Sequence, residues 1–163
     1  MPAKSEQLQV RVTRAEKAEL KRLAGRAGVD LSSYVLARVL PSDRSRIAAI
    51  LRALGDDGDH RFALAEFNDL LVGLTPRGFA EAVAGLDLDR LSPFLQNYVA
   101  AMIEHAARQK GEPAPSWARG IEPLDDPHFA VPFPSLRAHL LRTAPVAFKR
   151  RNIFIDSTIG DSV

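Results

Sequence analysis

The residues best suited to chemistry lie near the front of the chain. In Gln-Leu-Gln-Val-Arg-Val-Thr (7–13) polar and apolar side chains alternate strictly. A strand with that period puts Gln7, Gln9 and Arg11 on one face and Leu8, Val10 and Val12 on the other. Gln bonds adenine bidentately in the major groove, Arg bonds guanine O6 and N7, and a two-stranded β-ribbon fits that groove. Gln7, Gln9 and Arg11 are therefore candidate base contacts.

Catalytic patterns are thin by comparison. With no cysteine, thiolate zinc sites, Fe–S clusters and cysteine nucleophiles are excluded. His60, His105, His128 and His139 lack metal-type spacing. Asp56, Asp57 and Asp59 begin an acidic loop that lacks the continuation and terminal Glu of a calcium site. Neither a phosphate-cradling G-x-x-x-x-G-K-[ST] loop nor a G-x-S-x-G elbow occurs. The expectation is a binding protein, not an enzyme, with no cofactor and no metal.

The elements that must position Gln7, Gln9 and Arg11 follow directly. Thr13 and Glu16 form a T-x-x-E capping box. It opens a helix over 14–27, with Leu20, Leu23, Ala24 and Ala27 on one face. Gly28 ends it as a left-handed cap. Asp30 caps a second helix over 31–40, with Leu31, Tyr34, Val35 and Val39 along one side. Pro41 stops that helix. Further helices are expected over 43–55, 61–74, from Pro76 to about 84, and over 90–109, where Pro93 moves the true start toward Ser92.

Six prolines then fall between 112 and 135, so no regular element persists there. The stretch still carries Trp117, Ile121, Leu124, Phe129, Val131 and Phe133. It reads as an ordered, extended segment wrapped on a surface, either within the chain or on another chain. Ser135 caps a short helix to about 142. Pro145 starts another turn, and Ile153-Phe154-Ile155 is apolar. The organisation is a mainly α chain in three parts: 1–41, 42–111 and 112–163.

Charge follows the same division. The 163 residues carry 22 Lys+Arg and 20 Asp+Glu, a net of +2. Residues 1–50 hold 10 basic and 5 acidic side chains, residues 51–110 hold 6 and 9, and residues 111–163 hold 6 and 6. A basic head joined to an acidic middle suits a head that meets a polyanion. No apolar run approaches the roughly 18 residues of a membrane span. The first residues, Met1-Pro-Ala-Lys-Ser-Glu-Gln, lack the apolar core of a secretory signal. A cytoplasmic protein with no membrane contact is expected.

A lone strand with two helices has a physical problem. About 40 residues bury too little surface to fold alone, and one strand has two open edges. Antiparallel pairing with the same strand of a second copy closes an edge on each. The apolar face of the ribbon is then covered by four helices. Leu8, Val10, Val12, Leu20, Leu23, Tyr34 and Val35 are the expected dimer core. The outer face shows Gln7, Gln9 and Arg11 twice about a two-fold axis.

Residues 7–40 resemble a ribbon-helix-helix DNA-binding domain. The matching features are the strand, the helix A-E-K-A-E-L-K-R-L-A-G-R-A-G and the opening V-D-L-S-S-Y-V of the second helix. The resemblance implies an obligate homodimer with its ribbon in the major groove of operator DNA. It also implies a phosphate clamped by amides at the second helix start, here Leu31, Ser32 and Ser33, where the helix dipole favours an anion. Lys4 and Arg14 add phosphate contacts, which position without specifying.

The stretch P-S-L-R-A-H-L-L-R-T-A-P-V-A-F-K-R-R-N-I-F-I (134–155) is similar to the ends of bacterial antitoxin-like proteins. That similarity implies a cognate toxin as second partner and a transcriptional repressor of its own operon. Trp117, Phe129, Phe133, Phe148, Arg150, Arg151 and Phe154 are the expected toxin contacts, since aromatics and Arg dominate interface energetics. Two other arrangements stay open. The aromatics can complete a core with the 43–110 helices, more readily for Trp117 and Phe129 than for Phe148 to Phe154. Alternatively the rear region oligomerises or senses an effector, with no toxin.

Overall fold

The computed structural model describes residues 7, 9–56 and 58–156. The protein is mainly helical. Its elements run α1 (Arg14–Arg26), α2 (Leu31–Val39), α3 (Asp43–Gly55), α4 (Arg61–Gly73), α5 (Pro76–Val83), α6 (Pro93–Lys110), a 3-10 turn (Ser116–Gly120), β1 (His128–Phe129), α7 (Pro134–Thr143), α8 (Val146–Lys149) and β2 (Ile153–Phe154). The chain divides into two compact units, Met1–Ser42 and Asp43–Val163.

The front unit holds α1 and α2. Thr13 Oγ1 accepts the Glu16 N–H at 3.3 Å, and the Glu16 carboxylate accepts the Thr13 N–H at 2.7 Å. The capping box thus satisfies two backbone donors that a helix start leaves open. Gly28, at φ 67°, takes the left-handed turn between the helices. Ala24 is buried between them. Leu20, Leu23, Tyr34 and Val35 are only half-buried.

The expected strand at 7–13 is absent as a ladder among the described residues; Thr13 is extended, and no strand is assigned at residues 7 and 9–12. A ladder needs a second strand, and one copy of the chain supplies none at this place. Val10 and Val12 lie 67% and 44% exposed. Leu8 and Lys4 fall outside the described residues.

The rear unit has a continuous core. Ile47, Ile50 and Leu54 of α3 meet Phe67, Leu70 and Leu71 of α4, Phe79 and Val83 of α5, and Val99 and Ile103 of α6. Each set recurs at three- and four-residue spacing, which is one helix face. α6 is buried on most sides; Ala100, Ala101, Ala106 and Ala107 let neighbouring backbone approach closely. Ser92 caps it, Pro93 occupies its first turn, and Gly111 at φ 70° ends it. Lys110 Nζ donates to the carbonyls of Val72 and Leu74 at 3.0 and 2.8 Å. A cation there offsets the negative end of α4.

The proline-rich segment wraps its own unit. Trp117 Nε1 donates to the Val83 carbonyl at 3.0 Å, at the end of α5. Asn97 Nδ2 donates to the Glu122 carbonyl at 3.0 Å, and Asn152 Nδ2 to the Leu124 carbonyl at 2.9 Å. β1 and β2 then pair in parallel, with His128 opposite Ile153 and Phe129 opposite Phe154. Two residues per strand are too few to leave a periodic trace, so this ladder is invisible to alternation.

Candidate nucleic-acid interface

Gln7, Gln9 and Arg11 are exposed ahead of α1, where no regular element is assigned. The chain's direction into α1 is set by Thr13, whose backbone is fixed by the capping box. Arg14 is exposed one residue further on, at the first position of α1. The Thr13 bonds hold the Glu16 carboxyl below the usual carboxylate range. Glu16 is therefore a fixed negative charge committed to the cap.

Along α1, Lys17, Lys21, Arg22 and Arg26 are exposed. Arg22 is tied to Glu19, its Nε donating to a carboxylate oxygen at 2.8 Å. That bond keeps the Glu19 carboxyl low and the Arg22 guanidinium high. Arg22 thus carries its own counterion, while Arg11 and Arg14 are the exposed positive charges at and just before the start of α1.

The start of α2 differs from the expected clamp in one respect. Asp30 Oδ1 accepts the Ser33 N–H at 3.0 Å, and the Ser33 hydroxyl donates to Asp30 Oδ2 at 2.5 Å. Ser33 thus gives both its N–H and its hydroxyl to the Asp30 carboxylate. The Leu31 and Ser32 amides, in the first turn, have no intrahelical acceptor. Both lie in the same first turn as Ser33, beside the Asp30 carboxylate that accepts from it.

Of the rear residues expected to meet a toxin, three are internal. Phe148 and Arg151 are buried, as is Phe154, which stacks on Phe129 with ring centroids 4.9 Å apart. Trp117 and Phe129 are half-buried. Phe133 and Arg150 are at the surface. The expectation that Phe148, Arg151 and Phe154 face outward is corrected. The Arg-Arg-Asn run closes the core because Arg151 fans its guanidinium inside the unit. Its Nη1 donates to Asn97 Oδ1 at 3.1 Å, and its Nη2 to Glu104 Oε1 and the Ala118 carbonyl, both at 2.7 Å.

Asn97, Glu104 and Asn152 were not legible as a set. Their one signal is a polar residue on an otherwise apolar stripe: Asn97 sits on the buried face of α6. Asn152 adopts φ 61°, a left-handed conformation that Asn tolerates better than most residues.

A family model described as NikA-like, mobilization protein NikA, matches residues 2–56. The match covers about a third of the chain and runs past the front unit through α3. No curated protein and no solved structure matches the chain. The match supports a ribbon-helix-helix-like segment at the front, of the DNA-binding class. No helix among the described residues is long and apolar enough to cross a membrane.

Proposed function

We propose that this protein is a homodimeric, sequence-reading DNA-binding protein. Its front strand pairs with that of a second copy and enters the major groove. Gln7, Gln9 and Arg11 read base edges; Arg14, Leu31 and Ser32 hold phosphates. It acts by binding and not by catalysis. The printed name of the matched family, a mobilization protein, favours a role at a DNA site used in mobilization.

One observation carries the dimer. The front unit leaves apolar side chains in water: among its described residues Ala24 is the buried apolar one, while Val10, Val12, Val29, Leu36, Val39 and Leu40 are exposed. Burying a Val or Leu is worth about 1.5–3 kcal/mol. A second copy, set about a two-fold axis, covers apolar side chains here and completes the four-helix wrap of the ribbon. Sedimentation equilibrium of the full chain tests this. A dimer whose Val10→Lys variant falls to monomer is expected; a wild-type monomer at micromolar concentration rules it out.

A second reading is an antitoxin that neutralises a toxin through its rear region. The resemblance of 134–155 to antitoxin ends supports it, together with the surface positions of Phe133 and Arg150. With Phe148, Arg151 and Phe154 inside, a toxin would meet the α7 surface. Co-expression with the product of the neighbouring reading frame tests it: rescue of growth supports the reading, and no toxicity to rescue removes it.

A further inference from the structure

In the rear unit, the exposed large apolar side chains among the described residues fall in two places. One is Phe62 on α4, at 83% exposure. The other is Phe133, Leu136, Leu141 and Val146 along α7 and α8. The two places carry opposite charge.

On α4, Phe62, Glu66 and Asp69 follow at four- and three-residue spacing, so they share one helix face. Glu66 and Asp69 are exposed and line a groove of about 460 Å³ beside Leu70, Leu74 and Thr75. Asp43 and Arg46 also line it and lie 3.8 Å apart as a pair. The net charge of the groove is therefore that of Glu66 and Asp69.

On α7, Phe133, Arg137 and Leu141 form a row at four-residue spacing, with Arg142 beside it. Between residues 127 and 155 the chain has five Lys or Arg and no Asp or Glu. One of the five, Arg151, is neutralised inside by Glu104. Arg137, Arg142, Lys149 and Arg150 remain on this surface, Arg137 lying over the Phe129 ring, and with Asp156 beside Leu136 and His139 the surface is still net positive.

We propose that the α7–α8 face docks on the α4 face of a second copy of this chain. Phe133 and Leu141 meet Phe62, and Arg137 and Arg142 meet Glu66 and Asp69 at the groove. Phosphate backbone is a poorer occupant, because it offers the apolar row no counterpart. The two patches differ, so a contact not reciprocated about a two-fold axis is heterologous and leaves one face open at each end. Combined with a dimeric front unit, it would line dimers up along DNA.

The test is sedimentation velocity of the full chain across concentration and salt. The mass is expected to grow with concentration at about 0.1 M salt and to shrink toward a base species at about 1 M, where the screening length falls from about 10 to about 3 Å. R137E/R142E should abolish the growth, and so should E66K/D69K, each with an unchanged helical spectrum. Mixing the two variants should restore it, since each then supplies the other's complement. The proposal is overturned by a wild-type mass independent of salt, by variants that still grow, or by a mixture that does not. It is equally overturned if the chain stays at its base mass and R137E/R142E loses duplex affinity, which would make the α7 face a nucleic-acid surface. The base species reports the front-unit dimer separately: a monomer there counts against that dimer and not against the rear contact.

Discussion

Arg151 donates from Nη2 to the Glu104 carboxylate at 2.7 Å across 47 residues of chain, and the two side chains are only 5% and 15% exposed. The pair ties the C-terminal turn to the middle of α6. The same guanidinium holds the Ala118 carbonyl and Asn97, so the proline-rich segment, α6 and the turn after α8 are fastened at one point. Of the consecutive Lys149, Arg150 and Arg151, the last alone is buried, and it fastens the rear unit from inside.

Removing one partner of a buried pair strands the other charge, at a cost of about 3–5 kcal/mol. Arg151→Ala should therefore destabilise the rear unit by about that much in urea, or prevent folding. Arg151→Lys keeps the charge but loses the planar fork, and it too should destabilise. Arg150→Ala, one position away at the surface, should stay within about 0.5 kcal/mol of the native chain. Equal, small effects at both positions would contradict the burial of Arg151.

Asp30 stands where a phosphate would approach the start of α2 while capping Ser33. Asp30→Asn retains a capping oxygen and removes the charge. It should tighten duplex binding several-fold at low salt with little change in stability, since Asn and Asp cap about equally well. Asp30→Ala should lower stability by about 1 kcal/mol through loss of the cap. Fluorescence anisotropy on a labelled duplex, beside thermal melting, separates the two effects. Unaltered affinity in Asp30→Asn would remove the α2 amides from the interface.

Arg11→Ala should cost about 1–3 kcal/mol of discrimination between cognate and scrambled duplex and leave the dimer folded. Arg14→Ala should weaken both duplexes alike and reduce the salt dependence. Competition titrations with the two duplexes distinguish a base contact from a phosphate contact. Identical losses on both duplexes for Arg11→Ala would make it a backbone contact only.

Asp59 accepts from the Arg61 side chain and from the Arg61 N–H, which draws its carboxyl down to about 2. A carboxyl held low in the folded state contributes stability that is complete above its unfolded value and lost as pH falls through the folded one. For Asp59 that window runs from the ordinary 3.8 down to about 2. Because the pair is at the surface, solvent screens it and the contribution is small. Carboxyl NMR should give a titration midpoint near 2, returning to the ordinary range in Arg61→Ala.

The helices were largely legible in the sequence because their signals are local. The Thr13–Glu16 box, Gly28 and Asp30 mark ends by backbone chemistry within four residues. Pro76, Pro93 and Gly111 do the same in the rear unit. The internal role of Arg151 was not legible, because it depends on Asn97, Glu104 and Ala118, which are distant in sequence and carry no shared spacing. The two-residue β1–β2 ladder has too few positions for a period. At the candidate interface, the type and alternation of Gln7, Gln9 and Arg11 suggested base contact from sequence. That Ser33 gives both donors to Asp30 is a matter of side-chain geometry that no pattern reveals.

The most direct test of the central claim is selection of bound duplexes from a random-sequence pool by the full chain, followed by titration of the enriched sequence. A two-fold ribbon predicts an inverted repeat, bound by two chains, with affinity that falls steeply as salt rises. No enriched sequence, together with no duplex bound at low salt, would contradict the account.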